Sequence, residues 1–379
     1  MALSTADLAA TSADGTDSFL ILKAQLRNFR NHERTEFSLG AGTTVVHGPT
    51  GAGKTNLLEA VHFALTGKSC RSANDRDLIR FGERSARALV EISSAQRNHT
   101  FETSLETGKA KLVKVDGVPA GQVPTAIERP HVCVFMPDRL ELVTGPARVR
   151  RERFDGFLTT LWPARRATRQ SYVRALAQRN ALIGRVRSGE STAAAMGGWN
   201  HELARHGLAL MEDRSATVDL LAPRFTIRAV ELGLRGEATL TYRPRSRATS
   251  VEELEAELGD RFDSDVERGF TGHGPHRDDY RFEVDGREAR RFASQGQQRL
   301  ALLALILAER DTLAEVRGQP PLLLLDDVLS ELDAERRSRL LDTLARAGQA
   351  LLTTAEPDSA WSNADAVSGL RIQDGGAGG

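Results

Sequence analysis

Gly48-Pro49-Thr50-Gly51-Ala52-Gly53-Lys54-Thr55 is the stretch that decides the fold. It has the pattern GxxxxGK[ST]. A β-branched run at 43–47 precedes it and an apolar-periodic segment at 54–65 follows, so it joins a strand to a helix, the setting the pattern requires. The glycines let successive backbone N–H groups turn inward on a phosphate, where a Cβ would obstruct the loop. The helix opening near Lys54 adds the partial positive charge of its N-terminus. Lys54 is placed to reach the β- and γ-phosphates, and Thr55 to offer a hydroxyl to Mg²⁺. Gly48, Pro49, Thr50, Gly51, Ala52, Gly53, Lys54, Thr55 and Asn56 are therefore the candidate contacts for a nucleoside triphosphate.

A phosphate loop needs an acidic partner at the end of a buried strand. Leu322-Leu323-Leu324-Leu325-Asp326-Asp327 supplies it. The apolar run reads as a strand buried on both faces, and two carboxylates at its end are costly without a cation. Asp326 is expected to hold Mg²⁺ together with Thr55, and Asp327 to orient the attacking water. Lys54, Asp326 and Asp327 form the expected catalytic set.

Working outward, the chain has 379 residues, which at about 150 residues per domain predicts two or three domains. Its 51 cations balance 51 anions, and 27% charged with 40% apolar residues is a soluble globular profile. A uniformly basic nucleic-acid coat is excluded. Lys occurs only at 23, 54, 68, 109, 111 and 114, so Arg supplies 45 of the 51 cations, mainly an expected mark of a GC-rich genome. Residues 139–187 carry twelve Arg against Glu141, Glu152 and Asp155. That run is either a solvated helical face or a surface for a phosphate backbone. On the second reading Arg150, Arg151, Arg165, Arg166 and Arg169 contact DNA.

Cys70 and Cys133 are too few for a disulfide framework, and no spacing suggests zinc. The longest apolar run, 300–308, is nine residues, far short of a membrane span. Residues 1–18 contain no cation, so neither a secretion signal nor a transit peptide is expected there; they read as a disordered tail. A cytoplasmic protein without membrane partners is the expectation; nucleoid association is implied only by the family resemblance described below.

Strands are expected at 19–29, 35–39, 43–47, 88–92, 100–105, 111–115 and 132–135. Between 137 and 269 the apolar residues recur at helical spacing, in 148–161, 165–186, 201–221 and 251–262. The β/α pattern returns with a strand at 280–284, a buried helix at 297–309, strands at 321–325 and 350–354, and a helix at 334–345. The expected fold class is α/β, an ATPase head formed by 19–136 and 270–365, interrupted by a helical arm at 137–269. Residues 366–379 are expected as a flexible tail.

Two further segments narrow the class. Ala293-Ser294-Gln295-Gly296-Gln297-Gln298 precedes the apolar helix, placing a serine and a glycine at a helix N-terminus, a second anion site. Ser330-Glu331-Leu332-Asp333 follows the acidic strand. These resemble the signature motif and D-loop of the ABC-type ATPases. The resemblance implies that ATP lies between the phosphate loop of one copy and Ser294, Gly296 and Gln297 of a second, hence an ATP-dependent homodimer. Ala293 and Gln295 depart from the usual LSGGQ. Asp327 stands where a longer Glu is usual, and Thr353 and Thr354 where a switch histidine is expected, which implies slow hydrolysis.

The Asn56 form of the loop resembles the SMC, Rad50 and RecF branch. Roughly 240 residues separate loop and signature, too few for long coiled coils. Leu26-Arg27-Asn28-Phe29-Arg30-Asn31, Gly145-Pro146 with Arg150-Arg151 and Phe154-Asp155, Gly274-Pro275-His276-Arg277-Asp278-Asp279 and Ser294–Arg299 resemble the RecF family of bacterial recombination mediators over nearly the whole chain. Cys70 and Arg139 depart from that family, which usually has an aromatic or His at the first position and an acid at the second. The resemblance implies binding of gapped or single-strand/double-strand junction DNA. It also implies cooperation with RecO and RecR in placing RecA on gaps.

Two other classes fit the sequence less well. A transporter ATP-binding subunit is disfavoured by Asn56 and the Arg-rich insert. A nuclease of the overcoming-lysogenisation type would need an acidic domain, where only about fifty residues follow Asp327. The kinase-like His276-Arg277-Asp278 lacks the Asn expected five residues on, where Glu283 stands. An ion-pair network is the better reading of that run, and His273 and His276 are poor metal candidates without a third ligand.

Overall fold

The computed structural model describes residues 19–94, 97–122, 129–346, 348–357, 361, 367–373 and 376–378. The expected tail at 1–18 lies outside the described residues. The chain divides into two compact units, 1–139 with 231–233 and 309–379, and 140–230 with 234–308.

The first unit holds two six-stranded sheets. One is antiparallel and is built from β1 (Leu20–Phe29), β2 (His32–Ser38), β4 (Ser85–Ser93), β5 (Asn98–Glu106), β6 (Leu112–Val115) and β7 (Val118–Pro119), in the order β2-β1-β4-β5-β6-β7. The other contains β3 (Thr43–His47), β8 (Val132–Phe135), β12 (Leu322–Leu325), β13 (Ala350–Thr354), β14 (Val367–Gln373) and β15 (Gly376–Gly378). Its order is β15-β14-β3-β13-β12-β8, parallel except at β15. All four leucines of β12 are buried, as a parallel strand covered on both faces requires.

Helix α1 (Lys54–Thr66) touches strands of both sheets and buries Leu57, Leu58, Ala60, Val61, Phe63, Ala64 and Leu65. This explains why its apolar residues nearly encircle it. Gln349 stitches the two sheets: its amide exchanges 2.7 Å hydrogen bonds with the backbone of Ile21 and donates to Gly40 O.

One correction concerns residues 367–373. They were expected as a flexible tail and instead form β14, paired in parallel with β3. Leu370 and Ile372 alternate inward between exposed polar neighbours, a period-2 pattern diluted by Ser368 and Gly369.

The second unit carries α2 (Glu141–Thr144), α3 (Ala147–Leu161), α4 (Arg166–Arg187), α5 (Gly197–Glu231, its last residue counted with the first unit), α6 (Val251–Asp260) and α7 (Phe262–Arg268). It is not wholly helical. Strand β9 (Ala238–Arg243), absent from the expectation, pairs with β10 (Asp279–Val284), and β10 pairs with β11 (Arg287–Glu288). Helices α8 (Ala289–Phe292) and α9 (Gln295–Arg317) follow, and α10 (Ala334–Ala345) belongs to the first unit. The division also differs from the expected one in that 270–308 groups with the arm.

Buried ion pairs fill this unit. Arg214, 3% exposed, grips Asp155 with two bonds of 2.8 and 3.0 Å, Asp278 at 3.0 Å and Pro275 O at 2.7 Å. Tyr242 OH and the Arg245 amide also donate to Asp278. Arg179 meets Asp265, Asn200 and Thr271. The Asp278-Asp279 pair therefore enters an ion-pair network as the sequence indicated. Arg277 lies outside it, exposed and stacked on Phe270 at 5.1 Å.

Candidate functional site

The phosphate loop leaves β3 at Gly48 and enters α1 at Lys54, so it is held between a buried parallel strand and a buried helix. Gly48 has φ 146°, and a Cβ there would meet Ile372 O at 2.2 Å. Gly53 caps α1 at φ 105°, and a Cβ there would come within 2.7 Å of Asn31 and His32. Those two residues belong to the β1–β2 turn, which clamps the loop. Asn31 donates to Ala52 O at 3.2 Å, and His32 Nε2 donates to Gly53 O at 3.0 Å.

Lys54 Nζ donates to Gly48 O at 2.8 Å and Pro49 O at 3.0 Å, arching over the loop. Burial pushes its pKa down, while the charges of Asp327 and Asp326 push it back up. Thr55 Oγ1 donates to Asp326 Oδ1 at 2.8 Å, which joins the loop to the end of β12. Thr353, at the end of β13, donates to the same oxygen at 2.6 Å. Burial raises the Asp326 pKa; the two hydroxyls lower it and the Asp327 charge raises it further.

Asp327 has a left-handed backbone, φ 45°, rare for a residue with a side chain. Its amide donates to Thr353 Oγ1 at 3.0 Å, and its Oδ1 is buried without a hydrogen-bond partner. A buried orphan oxygen beside a second carboxylate and a threonine hydroxyl is an all-oxygen donor set that suits Mg²⁺. Residues of the loop line a cleft of about 350 Å³ with Asp326, Asp327, Thr353, Pro137 and Arg71.

Arg71, His32 and Glu59 were not singled out from sequence as site residues, and Asn31 entered only as the end of the 26–31 stretch. Asn56 donates to Asn31 at 2.8 Å and accepts from Arg71 at 3.0 Å. Arg71 also lies 3.7 Å from the fully buried Glu59, which Arg30 grips with bonds of 3.0 and 3.1 Å. The available signal was a lone Glu among the apolar residues of α1. The two departures from the family pattern meet each other: Arg139 donates to Cys70 O at 2.7 Å. Burial pushes the Cys70 thiol up to about 12, so it is no nucleophile.

Ser294, Gly296 and Gln297 belong to the second unit. Ser294 Oγ accepts the Gln297 amide at 3.3 Å and the Gln297 side chain accepts the Ser294 amide at 2.9 Å, a capping box that opens α9. Ser294 and Gly296 are exposed.

The five candidate DNA-contacting arginines separate. Arg150 is a correction: it is 2% exposed and forks onto Asp279 at 2.7 and 3.0 Å, an internal pair that removes it from any DNA surface. Arg151 is partly buried and donates to Asp278 O at 2.6 Å. Arg165 pairs with Asp213 and lies over the Trp162 ring. Arg169, 44% exposed, pairs with Asp155, and Arg166 is exposed. Among the described residues no group of three His, Cys, Asp or Glu could hold a metal, and no helix is long and apolar enough to cross a membrane.

The family described as RecF/RecN/SMC N terminal domain matches residues 20–377. A DNA replication and repair protein RecF of Anaeromyxobacter sp. is 36% identical over 89% of this chain and 92% of its own length. The protein of the same name from Moorella thermoacetica is 36% identical over 88% and 89%. The solved structure of the recombination mediator protein RecF with ATP in the RecFOR pathway superposes with a TM-score of 0.81. That structure is 24% identical and covers 97% of this chain and 99% of its own. An Smc head domain from Pyrococcus furiosus gives 0.57 at 16% identity over 95% of each chain. The chain belongs to the RecF family of the ABC/SMC-like ATPase superfamily.

Proposed function

We propose that this chain is an ATP-switched DNA-repair protein, in which ATP joins two copies on DNA and slow hydrolysis releases them. One observation carries the reading: the phosphate loop and the acidic pair are locked together through Thr55 and Asp326, with the orphan Oδ1 of Asp327 beside them. Family membership supports the repair context. Lys54 exchanges its carbonyl partners for the β- and γ-phosphates. Thr55 and Asp326 would hold Mg²⁺, which neutralises phosphate charge when bound. Asp327 holds the attacking water. The Ser294–Gln297 box, exposed at the start of α9, presents Ser294 and Gly296 to the nucleotide of a second copy.

DNA is the polyanion expected at Arg151, Arg165, Arg166 and Arg169, through backbone phosphates. Carboxylates hold Arg165 and Arg169 in place and a backbone carbonyl holds Arg151, which makes an ordered, weakly attractive surface suited to a contact that is made and released. RecO and RecR as partners, and RecA as the protein placed on gaps, follow from the family resemblance and the pathway named for the solved RecF.

Binding of a labelled gapped duplex to the wild type and to Lys54→Met, with and without ATP, tests the reading. Binding that needs ATP and is lost in Lys54→Met supports it. Equal binding under all conditions contradicts it.

A further inference from the structure

The outer face of the antiparallel sheet carries a row of like charge. Register places Arg34 on β2 opposite Arg27 on β1, and Arg27 opposite Arg87 on β4. With strands about 4.8 Å apart the row is about 10 Å long. All three side chains are exposed and line a depression of about 520 Å³.

The three carboxylates that line the depression have partners of their own. Glu36 bonds Lys23 at 2.5 Å, Glu33 bonds Arg80 at 2.8 Å, and Glu83 accepts from Asn28 at 3.1 Å. Arg87 is paired with Glu102 at 2.6 Å. Arg27 and Arg34 have no hydrogen bond or ion pair among the described residues. Lys23, and after it Arg34, holds the Glu36 carboxyl below its ordinary range. Like charges directly opposite on neighbouring strands destabilise a sheet, and a polyanion laid along the row relieves that repulsion.

The same hairpin carries the clamp on the phosphate loop. Arg30 on Glu59, Asn31 on Ala52 O and His32 on Gly53 O follow Arg27 within five residues and precede Arg34. We propose that this face binds the phosphodiester backbone of duplex DNA, and that its occupancy is coupled to nucleotide in the loop through the β1–β2 turn. The proposal rests on the DNA-binding reading above and adds a surface and a coupling to it. Guanidinium forks match phosphate oxygens bidentately. Successive phosphates of one strand rise about 3.4 Å each along the duplex axis, so the row spans about four of them. A row fixed on three hydrogen-bonded strands fits a regular backbone better than a flexible acidic peptide.

The test titrates a labelled duplex, with ATP present, against the wild type, Arg27→Ala/Arg34→Ala and Arg27→Lys/Arg34→Lys across salt concentrations. The Ala pair is expected to bind about tenfold or more weakly, with a log K against log salt slope shallower by about 1.8, the loss of two phosphate contacts. The Lys pair binds close to wild type. DNA also strengthens ATP binding less in the Ala pair, because coupling is reciprocal. Melting of the Ala pair at or above the wild-type temperature excludes misfolding as the cause. Unchanged affinity and slope in the Ala pair overturn the proposal and leave the DNA reading standing; no duplex binding by the wild type overturns both. Loss of poly-glutamate binding in the Ala pair with duplex binding intact reassigns the face to an acidic protein and also overturns it.

Discussion

One hydroxyl organises both acidic residues of the site. Thr353 Oγ1 donates to Asp326 Oδ1 at 2.6 Å and accepts the Asp327 amide at 3.0 Å. Thr353, one of the two threonines where the ABC resemblance implies a switch histidine, holds the Asp326 carboxylate and the Asp327 backbone instead. Thr353→Val removes both bonds while keeping the side-chain shape. The expected outcome is a loss of about 1–3 kcal/mol in unfolding free energy and a fall of about tenfold or more in ATP turnover, for a barrier change of about 1.4 kcal/mol or more. Thr353→Ser retains most of both. Denaturant unfolding and steady-state hydrolysis read the two effects.

Asp326 sets a pH dependence. Its pKa is raised, chiefly by burial, so the folded protein favours the protonated carboxyl. This contribution to the stability of the nucleotide-free protein is present at low pH and is lost as pH rises through the raised folded value. Asp326→Asn removes that slope and raises the melting temperature of the nucleotide-free protein near neutral pH. Mg²⁺ needs the ionised form, so Mg²⁺-dependent ATP affinity falls as pH drops through the same value. Thermal melts and calorimetric titrations across pH check the two opposite signs.

Gly53→Ala tests the clamp. The new methyl group enters the space of Asn31 and His32 at a backbone angle that disfavours a side chain. A loss of about 1–3 kcal/mol in stability is expected, with ATP affinity reduced more than stability alone explains. A wild-type melting temperature would show that the turn yields freely.

The arginines of the second unit separate by role. Arg150→Ala leaves Asp279 without its fork and is expected to destabilise by about 3–5 kcal/mol. Arg166→Glu, on the exposed side, is expected to weaken DNA binding with little change in melting. Urea denaturation and a DNA titration of each variant distinguish the two.

Much of this was legible in the sequence, for physical reasons that differ by element. The phosphate loop reads from local constraint, since glycine spacing and flanking periodicity are short-range. Residues 322–327 read from a local cost, four leucines ended by two carboxylates. The Arg-rich run read poorly because the partner of Arg150 lies 129 positions away, at Asp279. Charge in sequence does not tell an exposed cation from a buried pair. Strand 238–243 was missed because its pairing with 279–284 is long-range and its alternation only partial. Arg71 escaped because its partners, Asn56 and Glu59, meet it only when the segment after α1 folds back.

We propose that ATP joins two copies of this chain through the exposed start of α9. Sedimentation velocity of the wild type and of Ser294→Arg, each with and without ATP, tests it most directly. The expected result is a wild-type monomer that becomes a dimer only with ATP, and a Ser294→Arg protein that binds ATP yet stays monomeric. A wild type that remains monomeric with ATP bound, or a Ser294→Arg protein that dimerises as well as the wild type, would contradict it.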